Sequence, residues 1–185
     1  MQRKPFWKLL LLGIGYMALG NVMSTVMTVA LSVIADVTAV MVILFLMTLF
    51  VFYSLVFTVA YKDGQRESIM LKNHRTEGPV KGRWTLIGII MLAIMCIPSV
   101  ILLLDSLYGL IVGYLIPYRM ICGMIYPLAL AAGVNYPEAS QMPPYFAFIF
   151  MACYILIPVM TTVGFDFGFH DKFNPDKVMY ENSKK

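Results

Sequence analysis

Formal charge is nearly missing from this chain. In the 52 residues from Leu9 to Ala60 only Asp36 carries one, and Asp, Glu, Lys and Arg together make up 13% of the sequence against 60% hydrophobic residues. Soluble domains run at roughly 45–50% apolar, so this composition, with a mean hydropathy of +0.79, excludes an ordinary water-soluble fold and implies one integral-membrane domain. Histidine is confined to His74 and His170, and cysteine to Cys96, Cys122 and Cys153. Three cysteines, an odd number with no close spacing, make neither a zinc site nor a complete disulfide framework; they read as packing residues. No Gly-x-x-x-x-Gly-Lys-Ser/Thr phosphate loop, His-Glu-x-x-His zinc motif or Gly-x-Ser-x-Gly nucleophile elbow occurs. No cofactor or metal is expected.

The charges that are present are grouped. Thirteen of the fourteen Lys and Arg residues fall in three short clusters, at the start, the middle and the end. Basic residues resist transfer across a bilayer and so fix which side each loop occupies. They lie beside apolar runs rather than along an exposed groove, which points to anionic lipid headgroups of an inner leaflet and not to nucleic acid. The start, Arg3-Lys4-Pro5-Phe6-Trp7-Lys8 before Leu9-Leu10-Leu11-Leu12, has the form of a secretory signal. Its apolar run continues past the roughly 7–15 residues of such a segment, which favours an uncleaved first span.

As one helix at about 1.5 Å per residue, Leu9 to Ala60 would run roughly 78 Å, against a hydrocarbon core of about 30 Å. The segment therefore folds back once, in the polar stretch Ser32 to Thr38, with Asp36 placed to cap the second helix. Spans one and two are expected at 9–32 and 37–60. Residues 61–83 form a basic loop, with Lys62, Arg66, Lys72, Arg75, Lys81 and Arg83 against Asp63, Glu67 and Glu77; Ile69-Met70-Leu71 within it suit a short helix dipping into the headgroups. Trp84 stands where an interfacial anchor would. Span three covers 85–104, kinked by Pro98, and span four covers 145–163.

Residues 106–144 are apolar enough to suggest a fifth span, yet they hold Arg119 and Pro117, Pro127, Pro137 and Pro143. A lipid-exposed helix there would carry Arg119 near its centre, at about 2.5–3.5 kcal/mol on insertion scales. Short helices packed on the other spans at the outer face are the better expectation. Four spans put thirteen basic residues inside and Arg119 alone outside, whereas five weaken the bias. The expected fold is thus an all-α, four-helix integral-membrane bundle with both termini cytoplasmic and an outer cap of short helices.

Tyr61-Lys62-Asp63-Gly64-Gln65-Arg66-Glu67 after a pair of apolar spans, with Gly164-Phe165-Asp166-Phe167-Gly168-Phe169 closing the last one, resembles uncharacterised small multi-span membrane proteins of Gram-positive bacteria. That resemblance implies a bacterial plasma membrane and brings no activity with it.

Candidate sites are few. Gly20, Ser24, Thr28 and Ser32 recur every fourth residue, and with Asn21 beside them form a small-residue packing seam on one face of span one. The seam serves either the bundle itself or a second copy. Gly109-x-x-x-Gly113 and Gly164-x-x-x-Gly168 are weaker versions. Asp36, Asp105, Arg119 and Glu138 all fall on the expected outer side, as a salt bridge pinning the cap or as the polar part of a cavity with Tyr108, Tyr114, Tyr118, Tyr126 and Tyr136. Asp166 and His170, four apart and followed by Asp171, share a face if the last helix continues; two first-shell groups are too few for a metal, and Gly164 and Gly168 suggest that the helix is fraying. The fifteen methionines and twenty-five aromatics read as interhelical and lipid-facing filler.

With no charge expected at mid-depth in the spans, a pump or proton-coupled carrier is disfavoured. The leading expectation is a non-enzymatic accessory or assembly subunit that packs with a membrane-protein partner or itself. A small-solute transporter or channel component would need Asn21, Ser24, Thr25 and Thr28, with or without Thr161 and Thr162, to face one another as a polar lane. A lipid-modifying enzyme would need Asp166 with His170, or the Asp105 region.

Overall fold

The structure, a computed structural model, describes residues 3–32, 38–74, 78–80, 82–109, 114–131 and 142–170. Seven helices are present among them: α1 (Phe6–Ser32), α2 (Thr38–Lys72), α3 (Arg83–Tyr108), α4 (Leu115–Ile121), α5 (Tyr126–Ala131), α6 (Tyr145–Ala152) and α7 (Ile157–Phe169). No strand occurs among the described residues. Four stretches are helical, long and apolar enough to cross a membrane: α1, α2, α3, and α6 with α7 taken together over Tyr145–Phe169.

Local chemistry sets several ends. Pro5 lies directly before α1, and its carbonyl accepts from the backbone N–H groups of Lys8 (3.1 Å) and Leu9 (3.4 Å). Proline suits this position because the first helical N–H groups have no partner anyway. At the end of α3, Gly109 takes the left-handed conformation at φ 62° and donates to the Asp105 carbonyl at 2.7 Å, the usual glycine stop. Helix α3 runs through Pro98 without ending.

α2 is the organising element, with α1 and α7 against it and α5 lower on the same helix; α7 also packs on α3, α4 touches α1 and α3, and α6 lies on α3. The interior holds Phe52, Trp84, Met91, Tyr118, Phe150 and Tyr154, all at most 2% exposed. The outward faces are apolar as well: Leu11, Val22, Val26, Ile43, Phe50, Ile89 and Ile155 stand exposed. Soluble monomers rarely present such continuous apolar surface.

Three sequence expectations change. The segment read as a loop over 61–83 is helix as far as Lys72, so that α2, at 35 residues, spans roughly 52 Å at about 1.5 Å per residue. The reason lies in phase: Val59, Ala60, Asp63, Gly64, Glu67, Ser68 and Met70 are buried at helical spacing, so the inward stripe continues after the residues turn polar. Ile69-Met70-Leu71 is accordingly the last turn of α2 and not a separate piece. Span four is interrupted: residues 153–156 form a tightened turn between α6 and α7, with i to i−3 bonds from Tyr154 to Met151 (3.0 Å) and from Ile155 to Ala152 (3.2 Å). Pro158, which has no N–H to continue the ladder, lies at the first turn of α7.

The last helix does not fray at its glycines; it runs to Phe169. Gly164 and Gly168 instead form a close helix crossing. A methyl group added to Gly168 would meet the Tyr61 carbonyl, one at Gly164 would meet the Phe57 carbonyl at 2.7 Å, and one at Gly64 on the facing helix would meet Phe165 O and, at 2.8 Å, Phe169 N. The glycines let the α2 and α7 backbones touch, which is how helices associate where apolar burial offers little drive.

Candidate functional site

Polar side chains gather in three places. The first is the end of the bundle where α1 begins, α2 ends, α3 begins and α7 ends. Glu67, 3% exposed, is bridged by Arg3 Nε at 3.2 Å and Arg83 Nη1 at 3.4 Å. Each arginine also donates to a backbone carbonyl of another segment, Arg3 to Gly78 and Arg83 to Lys4. One turn earlier on α2, Asp63 accepts from the Trp84 indole N–H at 3.0 Å in a buried setting. Trp84 is therefore not an interfacial anchor: 2% exposed, it is held inward by a carboxylate. This clasp ties four chain segments together, and Arg3, Asp63, Glu67 and Trp84 were not read as a site from sequence. The available signal was the i, i+4 spacing of Asp63 and Glu67 in phase with the apolar stripe of span two.

The second place is a hairpin tip. Helices α4 and α5 are joined by residues 122–125, all buried, which wedge between α1 and α2. Asn21, Thr25 and Thr48 receive them. Met120 O accepts from Thr25 Oγ1 at 3.3 Å, Met124 O accepts from Thr48 Oγ1 at 3.3 Å, and the Met124 N–H donates to Asn21 Oδ1 at 3.5 Å. Gly123 sits so near α1 that an added methyl would meet Thr25 N at 2.8 Å. Tyr118 and Tyr114 pin α4 to α3 through Ser99 Oγ (3.0 Å) and Pro98 O (3.2 Å). Asn21 lies eleven residues before the end of α1 and Thr48 ten after the start of α2, so the tip enters roughly 15 Å along the bundle at about 1.5 Å per residue. The break in span four lies alongside: Tyr53 Oη donates to Cys153 O, and the buried Tyr154 neighbours the Cys122 thiol.

This arrangement decides what the span-one seam does. Gly20 abuts Phe52, Ser24 Oγ donates to Thr48 O at 3.4 Å, and Asn21, Ser24 and Thr28 are buried. The seam is occupied within the chain, by α2 and the hairpin; the Ser32 side chain lies outside the described residues. Thr161 and Thr162 do not join Asn21, Ser24, Thr25 and Thr28 in one lane. Thr28 returns its hydroxyl to Ser24 O (2.8 Å), while Thr161 and Thr162 bond Pro158 O (3.0 and 2.7 Å) and Thr162 meets Thr85 (2.9 Å) at a different helix pair.

The third place is a cavity of about 200 Å³ lined by Thr25, Val29, Ile116, Arg119, Met120 and Tyr126. The Arg119 guanidinium carbon stands 5.8 Å from the Tyr126 ring centroid. Burial pulls the Arg119 pKa below the ordinary guanidinium value, and Tyr126 acts weakly the other way. Of the outer group expected with it, Asp36, Glu138 and Tyr136 lie outside the described residues. Asp105 is buried in the last turn of α3 and does not line this cavity; Tyr108 is exposed.

Asp166 and His170 do share a face, with His170 Nδ1 3.0 Å from Asp166 Oδ1, but both side chains are about half exposed, and Asp171 is outside the described residues. No group of three or more His, Cys, Asp or Glu side chains suited to a metal occurs among the described residues. Cys96, Cys122 and Cys153 are free thiols. Compared with protein-family models, curated proteins and solved structures, the chain matches none.

Proposed function

We propose that this chain is a non-enzymatic integral membrane protein of the plasma membrane, an accessory or assembly subunit with both termini cytoplasmic. The observation that carries this reading is the use of the internal polar groups. Asn21, Thr25 and Thr48 are engaged in closing the hairpin backbone and Glu67 in clasping the start of the chain to α3. The arrangement is that of a scaffold whose apolar outer faces meet lipid and a neighbouring membrane protein. The basic end, holding Arg3, Lys4, Lys8, Lys62, Arg66, Lys72 and Arg83, is the cytoplasmic one by the positive-inside rule, and α4 with α5 is a re-entrant cap from the opposite side, its irregular backbone covered by protein as the bilayer requires.

The test is native mass spectrometry on protein drawn from its own membrane into lipid nanodiscs, with cross-linking before extraction. A second copy or a stoichiometric partner is the expected result; a monomer without cross-linked neighbours would overturn the assembly reading. One observation favours a second reading, a small-solute transporter or channel component. The hairpin tip meets the break in span four, and broken helices beside irregular backbone are where transporters place their substrate sites. Solute flux in proteoliposomes that the bulky change Gly123→Leu abolishes would select that reading.

A further inference from the structure

We propose that the cavity beside Arg119 holds the headgroup of an anionic phospholipid from the leaflet opposite the basic end. The walls dictate the chemistry. Val29, Ile116 and Met120 are 55%, 63% and 65% exposed and belong to the apolar outer surface, so the cavity opens toward acyl chains. Thr25, Arg119 and Tyr126 supply its polar side. An occupant that suits these walls joins a negative end to a long apolar body.

Arg119 is the only Lys or Arg at this end of the bundle among the described residues. Its planar guanidinium carries five N–H donors, so it can keep contacts within the chain and still present two N–H groups to the oxygens of a phosphodiester. Tyr126 supports the cation from the protein side. A volume of about 200 Å³ is several times the roughly 30 Å³ share of a water molecule: room for a headgroup, with the chains left outside along Val29 and Ile116. Position agrees. Val29 lies three residues and Thr25 seven before the end of α1, so the site begins roughly 5 Å and reaches roughly 10 Å along that helix from its end, at about 1.5 Å per residue. This inference rests on the membrane placement but not on assembly, so a monomeric protein would leave it standing.

The experiment uses the full chain in phosphatidylcholine vesicles carrying a trace of phosphatidylglycerol with a photoactivatable group on its acyl chain, and maps the adducts by peptide mass spectrometry. Label is expected to concentrate on Val29, Ile116 and Met120, and to fall about ten-fold in Arg119→Ala, the loss of one well-made charged contact, while labelling by a matching phosphatidylcholine probe stays unchanged. Ile116→Trp, which fills the cavity without touching the charge, is expected to expel the label too and stands in if Arg119→Ala does not fold. Equal labelling of these residues by both probes in the unmodified protein, or label spread evenly over the outer faces, would overturn the proposal. So would displacement by inorganic phosphate, which would assign a soluble anion, or by oleate in preference to phosphatidylglycerol, which would assign a carboxylate.

Discussion

The two ends of this bundle are closed by opposite chemistry. At the basic end full charges do the work: a buried Glu67 between Arg3 and Arg83, and Asp63 under Trp84. Toward the other end, an inserted hairpin is held by neutral groups, an amide and two hydroxyls set against backbone atoms. The difference follows from the surroundings. An ion pair deep in an apolar medium must recover a desolvation cost of several kcal/mol per ion, whereas Asn and Thr bring smaller costs and bond backbone groups that would otherwise be left open. The clasp draws on segments that are themselves charged and lie at the helix termini, while the tip sits roughly 15 Å in from the opposite helix ends, by the helical rise of about 1.5 Å per residue.

Removing a partner from the clasp should have the largest effect. Glu67→Ala leaves two guanidinium groups facing one another and is expected to destabilise the protein by about 3–5 kcal/mol, read from unfolding in mixed detergent micelles. Gly168→Val forces α2 and α7 apart at the Tyr61 carbonyl; a loss of about 1–3 kcal/mol is expected, as for other overpacked sites, with α7 protection from hydrogen exchange falling most. Asn21→Leu strips the hairpin tip of its acceptor for the Met124 N–H and should cost about 1–3 kcal/mol, seen as faster exchange over 118–126. Were it to match Glu67→Ala, the contrast between a charged and a neutral closure would fail. Smallest of all, Asp166→Asn should shift stability by less than about 1 kcal/mol, since the pair with His170 is exposed; a larger loss would place a third closure at the end of α7.

Much of the fold is legible in the residues. Length and hydropathy alone require Leu9 to Ala60 to turn back once, and Pro117 and Pro127 fall in the two short helices α4 and α5. The end of α2 is not legible by hydropathy, because Asp63 and Glu67 read as solvent-facing until Trp84 donates to the one and Arg3 and Arg83 pair with the other. Asn21 and Thr25 were legible as polar residues on a packing face, but what they pack against was not. The groups they bond are backbone atoms of Met120 and Met124, and a backbone carbonyl has no identity in a sequence. Gly164 and Gly168 were ambiguous for a related reason: the same glycine frays an isolated helix and permits a close crossing, and only the facing Gly64 decides between them.

By itself, then, the sequence determined the solvent of this protein and the number of its long apolar helices, because both depend on sums over many residues: total hydropathy, run length, and the placement of basic clusters. The tertiary structure alone decided which polar groups close the interior, because each closure joins atoms from segments remote along the chain: Glu67 with Arg3 and Arg83, Asn21 with Met124, Gly168 with Tyr61. Sums survive the absence of coordinates; pairwise geometry does not.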